Sequence, residues 1–222
     1  YALSPLTANP DLKWETTEQK NLAVEIGVLK NRVQAKFDYF IKDTRDLLFW
    51  VGLPAYVGGG AIMKNVGSVG NKGWEFELRG TPIQNNRFTW ESSFNYSKVN
   101  NKIKALANGI TEDPWDSDIG AGATIYPEYL LKVGEPMGAM YGLNYLGTWK
   151  PKEEGEAALF NEKPGDSRYE DINGDKNIDS KDLTIIGYGL PTTTMGWNNT
   201  FSYKGVELNI LIQGVYGFQK LN

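Results

Sequence analysis

Residues 22–42 read LAVEIGVLKNRVQAKFDYFIK. Leu22, Val24, Ile26 and Val28 recur at every second position, and so do Val33, Ala35, Phe37, Tyr39 and Ile41. The residues between are Ala23, Glu25 and Gly27, then Gln34, Lys36, Asp38 and Lys42, with Phe40 as the exception. A period of two is the signature of a strand with unlike faces. Lys30-Asn31 between the runs suits a two-residue hairpin turn, because Asn tolerates positive φ. Such a loop sets Val28 opposite Val33 and brings the two apolar faces together.

The same reasoning extends outward. Met195, Trp197, Phe201 and Tyr203 lead into Lys204-Gly205, and Val206, Leu208, Ile210 and Ile212 follow. Tyr203 then faces Val206, and Phe201 faces Leu208. Trp74, Phe76 and Leu78 alternate with Glu75, Glu77 and Arg79; Phe88, Trp90, Phe94 and Tyr96 alternate with polar residues. A weaker pair, 125–133 and 138–149, brackets Gly134–Met137. The expectation is an all-β, antiparallel chain of about eight strands. Short links at Lys30-Asn31, 81–86, 134–137 and Lys204-Gly205 alternate with long ones at 43–72, 100–124 and 150–193. Alternation alone fits a soluble sandwich or a transmembrane barrel. Short turns at one end and long loops at the other favour the barrel, with a lipid-facing apolar wall, a polar lumen and Tyr and Trp in interfacial girdles.

Composition narrows the chemistry. The 222 residues include no Cys and no His, which excludes disulfides, thiol catalysis, His-based acid–base work and conventional zinc sites. Net charge is −4, with no basic block to serve as a nucleic-acid footprint. Gly58-Gly59-Gly60 lacks the Lys-Ser/Thr that a phosphate cradle needs. Glu153, Glu154 and Glu156 read as a solvated loop, and no enzyme is expected.

The window DINGDKNIDSKD, Asp171–Asp182, has the ligand spacing of an EF-type calcium loop. Side-chain oxygens would come from Asp171, Asn173, Asp175 and Asp182, a backbone carbonyl from Asn177, and a water-mediated contact from Asp179. Two positions depart from that pattern: Lys176 stands where Gly is usual, and Asp182 where Glu is usual. An Asx-rich solvated turn without an ion is the alternative. Trp115, Tyr126 and Trp149 lie in or beside the long loops and are candidate sugar-stacking rings.

Three stretches carry a family resemblance: NPDLKWETTEQKNLAVEIGVLKNRVQAKFDYFIKDTRDLL; NVGSVGNKGWEFEL; and PGDSRYEDINGDKNIDSKDLTIIG followed by LPTTTMGWNNTFSYKGVELNILIQGVYG. In this order they resemble the C-terminal barrel strands of SusC-like TonB-dependent outer-membrane transporters. The resemblance implies part of a roughly 22-stranded barrel around an N-terminal plug. It implies a Gram-negative outer membrane, import of glycans or peptides with energy passed by TonB, and a SusD-like surface lipoprotein as lid. Family chains are several times longer, so residues 1–222 read as a fragment lacking the plug, the TonB-contacting segment and the remaining strands, with the loop at 171–182 of dockerin type. The alternative is a secreted, calcium-stabilised β-sandwich that binds carbohydrate.

Overall fold

The computed structural model describes residues 6–7, 9–52, 61–115 and 128–220. Along the chain, Leu6–Thr7 (β1) precedes a hairpin of Thr16–Val28 (β2) and Val33–Arg45 (β3). Leu48–Gly52 (β4) and Ala61–Asn65 (β5) follow, then the long hairpin Ser68–Gln84 (β6) and Phe88–Ala105 (β7). Short strands come next: Glu112–Trp115 (β8), Tyr129–Lys132 (β9), Ala139–Leu143 (β10), Tyr145–Thr148 (β11), Ser167–Tyr169 (β12) and Leu183–Tyr188 (β13). An α-helical turn, Glu154–Ala157 (α1), flanked by 3₁₀ turns at Pro151–Glu153 and Ala158–Phe160, separates β11 from β12, and the last strands are the hairpin Thr193–Tyr203 (β14) and Val206–Tyr216 (β15).

Six long strands form one antiparallel sheet in the order β15-β14-β7-β6-β3-β2. The shortest has 11 residues and the longest 18, enough for the roughly 9–11 residues with which a tilted strand spans a bilayer. Both predicted hairpin registers hold: Val28 pairs with Val33, and Tyr203 with Val206. Arg32 N–H donates to Leu29 O at 3.2 Å, and Lys30 and Asn31 take φ of 57° and 64°. Leu29 is left-handed too, at φ 52°, so the turn carries three consecutive residues with positive φ and none of them is Gly.

The two faces are carried unbroken across the sheet. Ile26, Ala35, Leu78, Phe94, Trp197 and Ile212 form one row over all six strands. The neighbouring row on the other face is Glu25, Lys36, Glu77, Asn95, Gly196 and Gln213. Phe40, the aromatic exception on the polar face, pairs with Gly73. A Cβ at Gly73 would meet the Phe40 ring at 2.9 Å and Lys98 O at 2.5 Å. The ring lies over the missing side chain, an aromatic cover for a strand glycine.

Two expectations on strand placement are corrected. Where described, the stretches 125–133 and 138–149 are not wall strands; β7 pairs directly with β14, and the described residues between them, 106–115 and 128–192, belong to one excursion. Within it β13-β10-β9-β8 make a separate small sheet and β11-β12 another. Strands of four or five residues are too short to cross hydrocarbon. The turn at 134–137 therefore does not belong with the short hairpin turns. Ile103 N–H donates to Glu135 O at 2.9 Å, and Gly134 N–H to Ile103 O at 2.9 Å, which ties this turn to the long-loop end of β7.

The core lies in an unusual place. Among the described residues the buried apolar side chains are Val69, Ile103, Leu130, Ala139, Met140, Trp149 and Ala157. All belong to the excursion or to the strand ends it touches. The apolar face of the wall stays open, with Ile26 57% and Leu208 56% exposed. No second sheet covers that face among the described residues, so the sandwich alternative lacks its second layer.

Candidate functional site

The wall has three surfaces with different chemistry. On the apolar face, aromatic rings gather in two clusters. Trp74 stacks between Phe37 and Tyr96, with centroids 6.1 and 4.9 Å away. Nearer the short turns, Phe201 stacks on Phe88 and Trp90 at 6.4 and 5.8 Å. Tyr96 and Trp90 lie six positions apart on β7, about 20 Å along a strand. Both clusters lie on the face that meets lipid in a barrel.

Polar groups on this face satisfy one another. Asn199 and Ser92 sit opposite each other. Trp90 Nε1–H donates to Asn199 Oδ1 at 3.0 Å, and Trp197 Nε1–H to Ser92 Oγ at 2.9 Å. Hydrocarbon offers no water to replace such partners.

The opposite face is a charged and amide ladder. Lys36 Nζ lies 2.8 Å from Asp38 Oδ2, Arg79 pairs with Glu77, and Ser97 Oγ lies 3.4 Å from Glu75 Oε1. Shallow concavities on this face are lined by Lys36, Asp38, Glu75, Asn95 and Ser97, and by Gln34, Arg79, Glu91, Asn198 and Thr200. Asn198 Oδ1 is buried without a hydrogen-bond partner. At the long-loop end Asn101 Nδ2–H donates to Asn71 at 2.8 Å and Asn101 Oδ1 accepts from Met137 N–H at 2.7 Å. Asn71 and Asn101 share the polar face by alternation, so the excursion is fastened over the mouth of the polar side. A second stitch joins it to the chain after β15, where Gln219 N–H donates to Tyr188 O and Tyr188 N–H to Gln219 Oε1, each at 2.8 Å. Tyr188 Oη–H donates to Glu135 Oε2 at 2.7 Å, and this bond to a carboxylate raises the phenol pKa.

The third surface is the excursion, which holds Asp171–Asp182. Asp171 accepts from Gly174 N–H at 2.7 Å and Lys176 N–H at 3.0 Å. Asn173 accepts from Asp175 N–H, and Asp175 from Asn177 N–H, both at 2.9 Å. Asn177 Nδ2–H donates to Asp179 Oδ2 at 3.0 Å. Asp182, fully buried, accepts from Ile172 N–H and Asp179 N–H at 2.9 Å and seats a 3₁₀ turn at Ser180–Asp182. The Asn177 N–H holds the Asp175 carboxyl below the ordinary aspartate pKa, helped by Asn173 and Lys181.

Lys176, the departure from the loop pattern, has a visible role. It adopts the left-handed φ of 64° that normally favours Gly. Its Nζ lies 5.0 Å over the Phe160 ring and 3.9 Å from Asp171 Oδ2. Lys181 Nζ lies 3.4 Å from Asp175 and 3.7 Å from Asp179. Among the described residues no three acidic side chains converge as a metal cage.

The candidate stacking rings fare differently. Trp149 is 4% exposed, with the Arg168 guanidinium 4.4 Å over its ring and Phe160 tilted against it at 5.6 Å. It packs the excursion and offers no open face to a sugar. Trp115 ends β8 opposite Tyr129, and its side chain lies outside the described residues. Tyr126 and Gly58–Gly60 also lie outside them. The Trp90–Asn199 and Trp197–Ser92 pairs join residues more than 100 positions apart, and alternation along one strand assigns no partner to a polar residue at an apolar position.

Comparison with known proteins agrees with this geometry. Residues 1–212 match the family described as TonB-dependent receptor-like, β-barrel. The chain is 36% identical over 219 residues to TonB-dependent receptor P3 of Formosa agariphila, covering 97% of this chain and 22% of that protein. It is 30% identical over 210 residues to TonB-dependent receptor SusC of Bacteroides thetaiotaomicron, covering 94% and 20%. The fold is similar to the RagAB peptide importer in its open–open state, with a TM-score of 0.77, 26% identity, and coverage of 95% of this chain and 21% of that one. The chain thus spans about a fifth of the length of these relatives.

Proposed function

The chain belongs to the TonB-dependent receptor β-barrel family, SusC-like members of which reside in the outer membrane of Gram-negative bacteria, and from that premise we propose that it forms one arc of a nutrient importer. The observation that carries this reading is the pair of continuous rows, apolar and exposed on one side and charged on the other. Lipid covers the first and the lumen faces the second. The excursion 106–192 meets cargo and a SusD-like surface lipoprotein, and the energy arrives through TonB on a part of the receptor outside residues 1–222. Cargo is a large nutrient, a glycan or a peptide. The similarity to the RagAB peptide importer supports the peptide part of that range.

The test is uptake in a strain lacking the full receptor. Complementation should restore growth on the cognate polymer, and removal of residues 107–192 should abolish it while leaving the barrel in the membrane. Growth that is indifferent to the receptor or to TonB would refute import.

Calcium at Asp171–Asp182 is a separate proposal. Its support is the donor pattern together with the left-handed turn at Lys176. Asp171, Asn173, Asp175, Asn177, Asp179 and Asp182 would hold the ion, which would displace the Lys181 ammonium from Asp175 and Asp179. Calorimetry on the receptor and on Asp171→Ala should then show a binding event that the variant loses. No heat at millimolar calcium would end this proposal.

A further inference from the structure

We propose that Lys72, Lys98 and Lys102, at the outer rim of the wall, hold the phosphate of a lipid in the surrounding membrane. The apolar face does not stay apolar to the end of its strands. Next to the row Leu22, Tyr39, Trp74 and Lys98, on the long-loop side, comes the row Lys20, Ile41, Lys72 and Asn100. Beyond it Asp43 pairs with Gly70, and Gly70 with Lys102. A Cβ at Gly70 would meet Lys104 Cε at 2.5 Å and Asp43 Oδ1 at 3.0 Å. Both side chains therefore lie over Gly70, on the face opposite the Phe40 ring that covers Gly73. From the Trp74 row to the long loops this face carries six cations, Lys20, Arg45, Lys72, Lys98, Lys102 and Lys104, against two acids, Glu18 and Asp43. The chain as a whole has a net charge of −4, so the local excess runs against its composition.

Both acids already have cations. Glu18 takes Lys20 Nζ at 2.9 Å and Arg45 Nη2 at 3.2 Å, and Asp43 takes Lys104. Lys72, Lys98 and Lys102 are exposed and form no ion pair among the described residues. They surround Asn100: Lys98 and Lys102 flank it along β7, and Lys72 is its partner on β6. Lys72 is thus the diagonal neighbour of the other two, at roughly 7–8 Å, within reach of long side chains. Like charges at this spacing repel, and an anion shared by three ammonium groups and an amide relieves that repulsion. Position selects a lipid as the source of the anion. The cluster starts in the row of Trp74, whose ring stacks with Phe37 and Tyr96. Acyl chains can lie on those rings while the phosphate of the same molecule meets lysines whose stems run along the apolar surface. A free anion gains nothing from the rings.

The inference rests on the reading of the open apolar face as the lipid-facing wall; cargo and import play no part in it. Its test uses the full receptor in detergent micelles. The probes are dansyl-labelled phosphatidate and dansyl-labelled diacylglycerol, which differ only in the phosphate, and binding is read as tryptophan-to-dansyl energy transfer. Phosphatidate should bind saturably and more tightly than diacylglycerol. Lys72→Gln should weaken phosphatidate about fivefold, and Lys72→Gln/Lys98→Gln/Lys102→Gln about a hundredfold, with diacylglycerol unaffected. Lys42→Gln, a lysine on the polar face, should change nothing. Raising salt should weaken phosphatidate alone on the unaltered receptor, a readout that needs no variant. Equal binding of the two lipids, full affinity in the triple variant, an equal loss in Lys42→Gln, or no effect of salt would overturn the proposal. Displacement of phosphatidate by an equal concentration of inorganic phosphate would overturn it too, because the site would then be one for a free anion. Failure of the wall reading shows separately, as a receptor that does not insert into lipid vesicles.

Discussion

Replacing Asn199 by Leu should destabilise the wall, although it makes a lipid-facing position more apolar. Asn199 is 5% exposed, and its Oδ1 is the acceptor for Trp90 Nε1–H at 3.0 Å. It lies four positions from Tyr203 at the short turn, about 13 Å along the strand. With a tilt of about 45° this becomes roughly 9 Å of depth, inside the hydrocarbon. The indole N–H left behind has no water to turn to, and an unsatisfied buried donor costs about 1–3 kcal/mol. Trp90→Phe alone removes the donor and should cost less. The double variant Trp90→Phe/Asn199→Leu removes both partners and should recover most of the loss of Asn199→Leu, because paired removal leaves nothing unsatisfied. The assay is urea unfolding of the full receptor in lipid vesicles, with the folded fraction read by heat-modifiable electrophoretic mobility. A coupling energy of about 1 kcal/mol or more is expected from the cycle. If Asn199→Leu proves as stable as the parent, or the double variant merely adds the two single losses, this account of the pair is wrong.

Three other outcomes follow from the same geometry. Phe37→Arg or Ile210→Arg places a guanidinium on the lipid face and should cost about 2–4 kcal/mol near the midplane; a normal yield of both in outer-membrane fractions would contradict the assignment of faces. Phe40→Ala uncovers Gly73 and should weaken the β3–β6 pairing by about 1 kcal/mol, seen as faster hydrogen exchange at residues 38–42 with the loops unaffected. Asp175 has a folded pKa below the ordinary 3.8 because its charged form accepts the Asn177 N–H. Its contribution is therefore complete above 3.8 and is lost as pH falls through the lowered value. Hydrogen exchange at Asn177 should accelerate, relative to neighbouring loop amides, only under those acid conditions.

The wall was largely legible in the sequence because its residues obey a local rule. Strands that meet lipid on one side and water on the other must alternate, and Val24 to Ile41 does so with one lapse. Turn chemistry at Lys30-Asn31 and Lys204-Gly205 then sets register without long-range information. The lapses needed three dimensions. Phe40 makes sense only beside Gly73, and Asn199 only beside Trp90. Both partners lie on neighbouring strands, Asn199 across the whole excursion from Trp90, and no spacing along the chain encodes them.

The excursion was misread for a related reason. Residues 125–149 contain strands whose alternation resembles that of the wall, yet their partners are one another, β13, and the backbone of Ile103. Trp149 looked available for stacking until Arg168 and Phe160 were seen against its ring. Asp171–Asp182 declared its donors in sequence, whereas the lysine ammonium groups beside them depend on side-chain direction and on Phe160. Alternation, turns and donor spacing are properties of consecutive residues, and the sequence by itself determined them. Which strands are neighbours, which rings are covered and where charge is left unpaired depend on residues brought together from distant positions, and only the tertiary structure decided those.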